Sequence, residues 1–318
     1  MTYRCAVLDD YQRVALSIAD WSALAGRVEV TVFDRYMADD PKLAGTLAPF
    51  DIICIMRERT PFRRDLFEKL PNLKLLVTTG ARNAAIDLAA AKEHGVTICG
   101  TEAHGHPTAE LALGLMLALA RHIPEESRRL AEQGLWQSSI GVDLKDRTLG
   151  VLGLGRLGSR LARAAQALDM KVIAWSQNLT PEKCAEQGVT YASKEDLFRH
   201  SDFLSVHVVL SARSRGLVGA AELALMKPTA FLVNTSRGEI VDQAALVAAL
   251  TDGRLAGAAL DVYDKEPLPK GHVLYGAPNL LMTPHLGYVT QDNYRTFFSQ
   301  TVEDIAAWLD GKPVRALG

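Results

Sequence analysis

The sequence has few cysteines and almost no net charge. Of 318 residues, 4 are cysteine, and the formal net charge is −2. Such a charge gives no electrostatic reason to expect a nucleic acid or an acidic membrane surface as a partner. Because the cysteines are scattered and three lie in apolar, strand-like runs, we expect reduced packing residues, no disulfide or metal site, and a cytoplasmic location. These residues are Cys5, Cys54, Cys99 and Cys184.

Long hydrophobic runs are absent as well. The longest apolar stretch, 111–120, is far too short to span a bilayer, and the N-terminal residues lack the apolar segment of a secretory signal. We therefore expect neither a membrane span nor a leader. The chain is nevertheless 48% hydrophobic, and its 318 residues are too many for one ordinary core and enough for two.

Predicted strands and helices alternate from end to end, which is the pattern of parallel sheets with helices on both faces. The strands predicted in a first unit are 5–8, 28–33, 51–56, 74–78 and 96–99. Those predicted in a second unit are 148–152, 171–175, 203–208, 231–234, 258–262 and 280–282. The sequence therefore predicts an α/β protein with two doubly wound parallel-sheet domains.

A predicted helix and the arm that follows it raise the question of a second subunit. A helix over 108–122, preceded by Pro107, is apolar nearly all round. It must be buried on most sides, either within its own domain or against another chain. The arm that follows, 124–136, has the extended, amphipathic character of an exchanged interface element, which favours a homodimer through this part of the chain.

A glycine-rich turn indicates a dinucleotide site. Residues 151–159 read Val-Leu-Gly-Leu-Gly-Arg-Leu-Gly-Ser, between a predicted strand and a helix predicted over 156–168. Gly153 permits the tight turn, Gly155 lets phosphates approach the backbone, and Gly158 lets the helix lie close to the strand. The N-terminus of the helix, at Arg156 and Leu157, then offers free N–H groups to an anion.

Three strand ends in the second unit carry groups suited to acid–base chemistry. Arg237 can hold a carboxylate by two parallel hydrogen bonds, Asp261 and Glu266 follow the next strand, and His285 follows the last. Because ligands bind beyond the carboxyl ends of parallel strands, we expect these groups to converge and move a proton while a cofactor moves a hydride. A carboxylate beside the imidazole stabilises its protonated form and keeps a proton available.

These motifs resemble those of the D-2-hydroxyacid dehydrogenase family, and the resemblance runs over nearly the whole chain. The matching pieces are Gly-Leu-Gly-Arg-Leu-Gly, Val-Asn-Thr-Ser-Arg-Gly, Ala-Leu-Asp-Val-Tyr-Asp-Lys-Glu-Pro-Leu and Thr-Pro-His-Leu-Gly, in the family's order. The resemblance implies hydride transfer between NAD or NADP and a small 2-oxo or 2-hydroxy acid. It identifies His285 as the proton donor and acceptor, Glu266 as its hydrogen-bonded partner, and Arg237 as the anchor of the substrate carboxylate.

The resemblance also implies further contacts and a domain plan. Cofactor contacts are implied for Thr108, Thr235 and Asp261, and substrate contacts for the loop that contains Gly80 and Ala81. A Rossmann NAD(P)-binding domain, 102–287, is then inserted into a flavodoxin-like substrate domain made of 1–101 and 288–318. A helix predicted over 292–310 returns the chain to that first domain.

Two positions depart from the family pattern, and a third segment is unusually charged. Ser176 stands where NAD-type sites place an acid, which favours NADP slightly over NAD, although no arginine follows it to attract a 2′-phosphate. Val209 replaces the usual proline after His207, a loop variation of little chemical consequence. Alternation along an extended strand end places Arg57 and Arg59 on one side, where we expect a substrate contact; the alternative is a solvated pair.

The sequence leaves the substrate open between glyoxylate or hydroxypyruvate and a phosphoglycerate-type acid. Formate dehydrogenases, which resemble this family, are disfavoured because a glutamine replaces the partner of the histidine there, whereas this chain has Glu266. A second hypothesis is a nicotinamide-sensing interaction protein, like the corepressors built on the same scaffold. The intact set of Arg237, Glu266 and His285 favours turnover.

Overall fold

A computed structural model describes residues 2–318, which form twelve strands and twelve α-helices. The strands are β1 (Tyr3–Val7), β2 (Val28–Val32), β3 (Ile52–Ile55), β4 (Leu75–Thr78), β5 (Thr97–Gly100), β6 (Thr148–Leu152), β7 (Lys171–Trp175), β8 (Thr190–Tyr191), β9 (Phe203–Val206), β10 (Phe231–Asn234), β11 (Gly257–Leu260) and β12 (Leu280–Met282). The helices are α1 (Ala15–Ile18), α2 (Leu43–Leu47), α3 (Arg64–Phe67), α4 (Leu88–Glu93), α5 (His106–Ala120), α6 (Ile123–Gln133), α7 (Arg156–Gln166), α8 (Pro181–Ala185), α9 (Lys194–His200), α10 (Ala220–Leu225), α11 (Gln243–Thr251) and α12 (Gln291–Leu309).

The chain divides into two compact units. Unit 1 contains the residues up to His104 together with Thr290–Gly318, and unit 2 contains Gly105–Val289. The expected division falls at 101/102 and 287/288, and the units divide at 104/105 and 289/290. Each unit is built on one parallel sheet, which confirms the predicted fold class.

Unit 1 has a five-stranded parallel sheet in the order β2-β1-β3-β4-β5. Every residue of β3 and β4 is buried, because helices cover both faces of the sheet. Helix α12 packs against α1, β4 and β5, and it buries Phe297, Phe298 and Ile305. The C-terminal segment then adds to the edge of β5, where the Leu317 amide donates to the Ile98 carbonyl at 2.8 Å.

Unit 2 has a seven-stranded parallel sheet in the order β12-β11-β10-β9-β6-β7-β8. The first strand, β6, lies inside the sheet, and the chain runs outward from it through β7 to β8. It then returns to β9, on the other side of β6, and runs outward to β12. The strand order therefore reverses between β6 and β9, which is where an open α/β sheet leaves a crevice at its carboxyl ends.

The helices after residue 105 differ from expectation in two ways. Helix α5 ends at Ala120, two residues early, because His122 takes the left-handed conformation with φ 50°. The following arm is not extended, and that prediction was wrong. It is helix α6, begun by Pro124 in its first turn and ended by Gly134 at φ 67°. Ion pairs one turn apart, such as Arg129–Glu125 at 2.6 Å, add to its stability.

Strand β8 is also absent from the prediction, because a two-residue strand gives no periodicity to read. None of the helices in residues 2–318 combines the length and apolar composition needed to cross a bilayer.

Candidate active site

The three glycines of the β6–α7 turn have different surroundings. Gly153 has φ 105°, and a Cβ there would lie 2.9 Å from the backbone of His207. At Gly158 a Cβ would lie 2.1 Å from the Gly153 carbonyl oxygen, so the helix can approach the strand only with glycine at this position. Around Gly155 no atom lies within 4 Å of the Cβ position. Two glycines thus serve packing, and the third leaves open space at the N-terminus of α7.

That open space fits the phosphates of a dinucleotide. No side chain caps the first N–H groups of α7, which begins at Arg156, so these donors remain for an anion. Two buried polar atoms at carboxyl ends of strands in the same sheet also have no hydrogen-bond partner among residues 2–318. They are the Thr235 hydroxyl, after β10, and Nδ1 of His207, after β9. Burial lowers the pKa of His207 to about 4, so its ring is neutral at physiological pH.

His285 and Glu266 form a close pair. Nδ1 of His285 lies 2.6 Å from Oε2 of Glu266, and each side chain is 18% exposed. The other carboxylate oxygen accepts a hydrogen bond from the Tyr263 amide at 2.9 Å, which fixes the orientation of the carboxylate. A carboxylate on Nδ1 holds the proton on that nitrogen and leaves Nε2 to exchange a proton with a ligand.

Asp261 positions the loop that carries His285. Its carboxylate is fully buried and accepts hydrogen bonds from the Thr283 hydroxyl at 2.6 Å and from the amides of Leu286 and Gly287 at 2.7 and 2.9 Å. Burial raises the pKa of Asp261, and the hydrogen bond from Thr283 opposes that shift. Both oxygens are therefore bonded to the segment around His285, which sets the direction in which the imidazole leaves the backbone.

The loop after β10 carries Arg237 and packs on the loop after β11. Asn234 closes its turn, because its side chain accepts from the Ser236 amide at 3.0 Å and donates to the Arg237 carbonyl at 2.9 Å. Gly238 then lies so close to Tyr263 that a Cβ would be 2.1 Å from the Tyr263 carbonyl carbon. Since β10, β11 and β12 are parallel neighbours, the segments bearing Arg237, Glu266 and His285 lie together at the carboxyl end of one sheet.

Thr108, for which a pyrophosphate contact is expected, lies in the first turn of α5. Its hydroxyl donates to the Gly287 carbonyl at 2.8 Å, and a Cβ on Gly287 would lie 3.2 Å from Thr108. The start of α5 is therefore fastened to the loop that follows His285.

In unit 1, the structure brings together Arg57 and Gly80, two residues with expected substrate contacts. Nη1 of Arg57 lies 2.7 Å from the position of a Cβ on Gly80, so the guanidinium covers that glycine. The backbone of Arg57 is held by the Thr79 hydroxyl at 3.0 Å and by the Asn83 side chain at 2.6 Å. Ala81 follows directly in the same loop.

The reasoning that placed Arg57 and Arg59 on one side of a strand was wrong. Strand β3 ends at Ile55, and residues 57–60 form turns and bends in which Arg57 takes φ 49°. Arg59 instead interacts electrostatically with Asp9, a buried carboxylate that also accepts from the Thr60 hydroxyl at 2.7 Å. Burial raises the pKa of Asp9, and the charge of Arg59 opposes that shift.

Comparison with known proteins agrees with this geometry. Residues 113–287 match the family described as D-isomer specific 2-hydroxyacid dehydrogenase, NAD binding domain. The chain belongs to this family. It is 37% identical over 257 residues to a glyoxylate reductase of Aeropyrum pernix, covering 78% of this chain and 77% of that protein. It is 34% identical over 269 residues to a glycerate dehydrogenase of Methylorubrum extorquens, covering 81% and 83%.

Solved structures give the same result over the whole chain. A phosphoglycerate oxidoreductase of Vibrio cholerae has a TM-score of 0.92 and 36% identity, and the match covers 98% of this chain and 100% of that one. The protein is therefore a 2-hydroxyacid dehydrogenase with a nicotinamide cofactor, and the family expectation from the sequence is confirmed.

Sequence reasoning missed several residues around the site of this dehydrogenase. Thr283 bonds to Asp261, which is 22 residues away in the chain and is brought close only by folding. Asn234 bonds to Ser236 and Arg237 within its own turn, and an asparagine at a strand end is a recognisable turn signal. Lys183 and Arg213 also escaped notice. Both line a cavity that reaches Ser176, and neither lies next to Ser176 in the sequence.

Proposed function

We propose that this dehydrogenase reduces a small 2-oxo acid to the D-2-hydroxy acid, with His285 as the proton donor. The observation that carries the proposal is the 2.6 Å contact of Nδ1 of His285 with Glu266, on a loop that buried Asp261 holds in place. Unit 2 is proposed as the cofactor-binding domain and unit 1 as the substrate domain, close to the expected bounds of 102–287 and of 1–101 with 288–318.

The proposed chemistry divides between a hydride and a proton. A bound nicotinamide supplies the hydride to the carbonyl carbon of the substrate. Nε2 of His285 gives a proton to the carbonyl oxygen, and Glu266 stabilises the imidazolium from which the proton comes. Arg237 holds the substrate carboxylate and stabilises the negative charge that develops on the oxygen. Asp261 holds the loop of His285 in place during the reaction.

A direct assay tests the proposal. Purified protein is mixed with NADPH or NADH and with glyoxylate, hydroxypyruvate or its phosphorylated form, and oxidation of the cofactor is followed by absorbance. We expect turnover of at least one of these 2-oxo acids. Binding of the reduced cofactor without oxidation on any of them would refute the proposed reaction and favour a nicotinamide-sensing protein.

We also propose NADP over NAD as the cofactor. Ser176, after the end of β7, is neutral, so no acid at this position repels a 2′-phosphate.

The cytoplasmic location stays a prediction; the four cysteines are free thiols and all are buried.

Arg57 is proposed as a substrate contact. We expect Arg57→Leu to raise KM for the 2-oxo acid at least about tenfold, because a charge-assisted hydrogen bond contributes about 1.5–3 kcal/mol. Affinity for the cofactor should not change. The control is Arg27→Leu, an arginine of the same unit that pairs with Asp310 at 2.8 Å and precedes β2, at the opposite end of the parallel sheet from Arg57. Steady-state kinetics check this, and an unchanged KM in Arg57→Leu with every accepted substrate would contradict the role.

A homodimer through the 117–140 segment is proposed on its exposed apolar side chains. Helix α6 buries none of its residues, Trp136 is 78% exposed and Ile140 is 93% exposed. Leu117, Ile123, Leu130 and Leu135 are exposed as well. Exposed apolar residues concentrated in one segment favour an interaction surface, and closed twofold symmetry is the commonest way to bury such residues in an oligomer.

The oligomeric state tests this surface. Sedimentation of the protein should give about twice the chain mass of 34.6 kDa, and Ile140→Asp should shift it toward one chain mass. The control is Val209→Asp, which changes another exposed apolar residue, at 85% exposure, outside the segment. A wild-type protein that sediments as a single chain would contradict the proposal.

A further inference from the structure

A cavity of about 440 Å³ lies within unit 2 beside the glycine-rich turn. Its lining includes Gly153 and Gly155 at one end and the β7 end with Ser176 at the other. The space that opens at Gly155 thus continues to the position where a dinucleotide's adenosine ribose is recognised in this fold. The charges of the other lining residues determine whether the cavity suits a ribose with or without a 2′-phosphate.

Two cations line this cavity, and no carboxylate does. Lys183 projects from α8, and Arg213 lies in the loop between β9 and α10. Neither takes part in an ion pair among residues 2–318. The nearest acid along the chain, Glu182, accepts hydrogen bonds from Thr180 and its own amide and does not line the cavity.

The loop that bears Arg213 is fixed to the segment that bears Ser176. The side chain of Gln177, the residue after Ser176, donates to the Arg213 carbonyl at 3.3 Å. Ser214 is buried, and its hydroxyl accepts from the Ser211 amide at 2.8 Å and donates to the Val209 carbonyl at 2.7 Å. The backbone of Arg213 is therefore held at the same end of the cavity as Ser176, although its side chain is exposed and adaptable.

We propose that Lys183 and Arg213 bind the 2′-phosphate of NADP in this chain. An ordinary NADP site of this fold places an arginine near the end of the second strand. Here the end of β7 offers Ser176, Gln177 and Asn178, and the positive charge comes from α8 and from the loop after β9. The inference rests on the proposed preference for NADP and names the residues that produce it.

The experiment measures binding of two adenosine nucleotides and needs no turnover. Calorimetry compares adenosine 2′,5′-bisphosphate, which carries the 2′-phosphate, with adenosine 5′-monophosphate, which lacks it. We expect the wild-type protein to bind the bisphosphate at least tenfold more tightly. Because both cations are exposed, raising the salt concentration should weaken binding of the bisphosphate more than binding of the monophosphate and so narrow this difference.

Variants that remove one positive charge at a time test whether Lys183 and Arg213 cause the preference for the bisphosphate. Lys183→Met and Arg213→Gln should each weaken bisphosphate binding about tenfold, the size expected of one charge-assisted contact, and leave monophosphate binding unchanged. Lys183→Arg should retain most of the preference, since it keeps the charge. Arg215→Gln is the matched control, because Arg215 is exposed in the same loop, pairs with Glu239 at 3.6 Å and does not line the cavity.

The results separate this inference from the proposed reaction. The inference is overturned if the wild-type protein shows no preference for the bisphosphate. It is also overturned if the variant that combines Lys183→Met and Arg213→Gln keeps that preference. If 2-oxo acids are reduced in either case, the proposed reaction stands without it. If the bisphosphate is preferred through Lys183 and Arg213 but no 2-oxo acid is reduced, the phosphate site stands and the reaction fails.

Discussion

Replacing His285 by glutamine should lower the reductive kcat about 10²–10⁴-fold, the range that a general acid contributes. Glutamine keeps a polar side chain of similar reach but gives up no proton to a developing alkoxide. The loop should stay in place, because Asp261 bonds to Thr283, Leu286 and Gly287 and not to the imidazole. We therefore expect the dissociation constant of the reduced cofactor, measured by its fluorescence, to change little.

The control for His285 is another histidine of the same unit. His200 is exposed and pairs with Asp196 at 3.6 Å, so His200→Gln should leave kcat and cofactor binding unchanged. If His285→Gln retained more than half of the wild-type rate, the assignment of the proton donor would be wrong.

The second large effect is expected at Arg237. Loss of a donor to a developing oxyanion typically costs about 10²–10³-fold, so Arg237→Gln should lower kcat/KM for the 2-oxo acid by about that factor. Both constants should change, since the guanidinium is proposed to hold the carboxylate in the bound substrate and to stabilise the charge in the transition state. Arg237→Lys should recover part of KM and little of kcat, because an ammonium cannot make the two parallel hydrogen bonds.

Arg254 provides the comparison for that series. It is exposed and pairs with Asp252 at 3.0 Å, and Arg254→Gln should behave as wild type. A full rate in Arg237→Gln at saturating substrate would show that the guanidinium only binds the substrate and does not assist the chemistry.

The sequence predicted the bounds of four strands of unit 2 for a physical reason. Strands β6, β7, β10 and β12 have the predicted bounds, because each is a short, mainly apolar run with a polar or glycine residue at or just after its end. The turn between β6 and α7 was also predictable, since Gly153 and Gly158 answer local steric demands and Gly155 leaves open space at the start of the helix. Three neighbouring parallel strands precede Arg237, Glu266 and His285, so these residues necessarily lie at the same carboxyl end of the sheet.

Other features depend on contacts between distant segments. The side on which Arg57 lies follows from a left-handed turn fixed by Thr79 and Asn83, more than 20 residues away in the chain. Lys183 and Arg213 are separated by 30 residues (213 − 183) and meet only because α8 and the loop after β9 border one cavity. The short strand β8 and the helical form of the arm show the limit of periodicity in segments with little burial.

The discontinuity of unit 1 has a consequence for synthesis on the ribosome. Residues up to His104 emerge first, but α12, which covers β4 and β5, follows only after the 185 residues of unit 2 (289 − 104). At about 5–20 residues per second, that delay is about 10–40 s. Unit 2 is contiguous and can fold as soon as it has emerged. During this time the nascent first unit lacks Phe297, Phe298 and Ile305, which are buried in the folded unit. The face of its sheet that α12 covers is then exposed, so chaperones can bind it or it can aggregate.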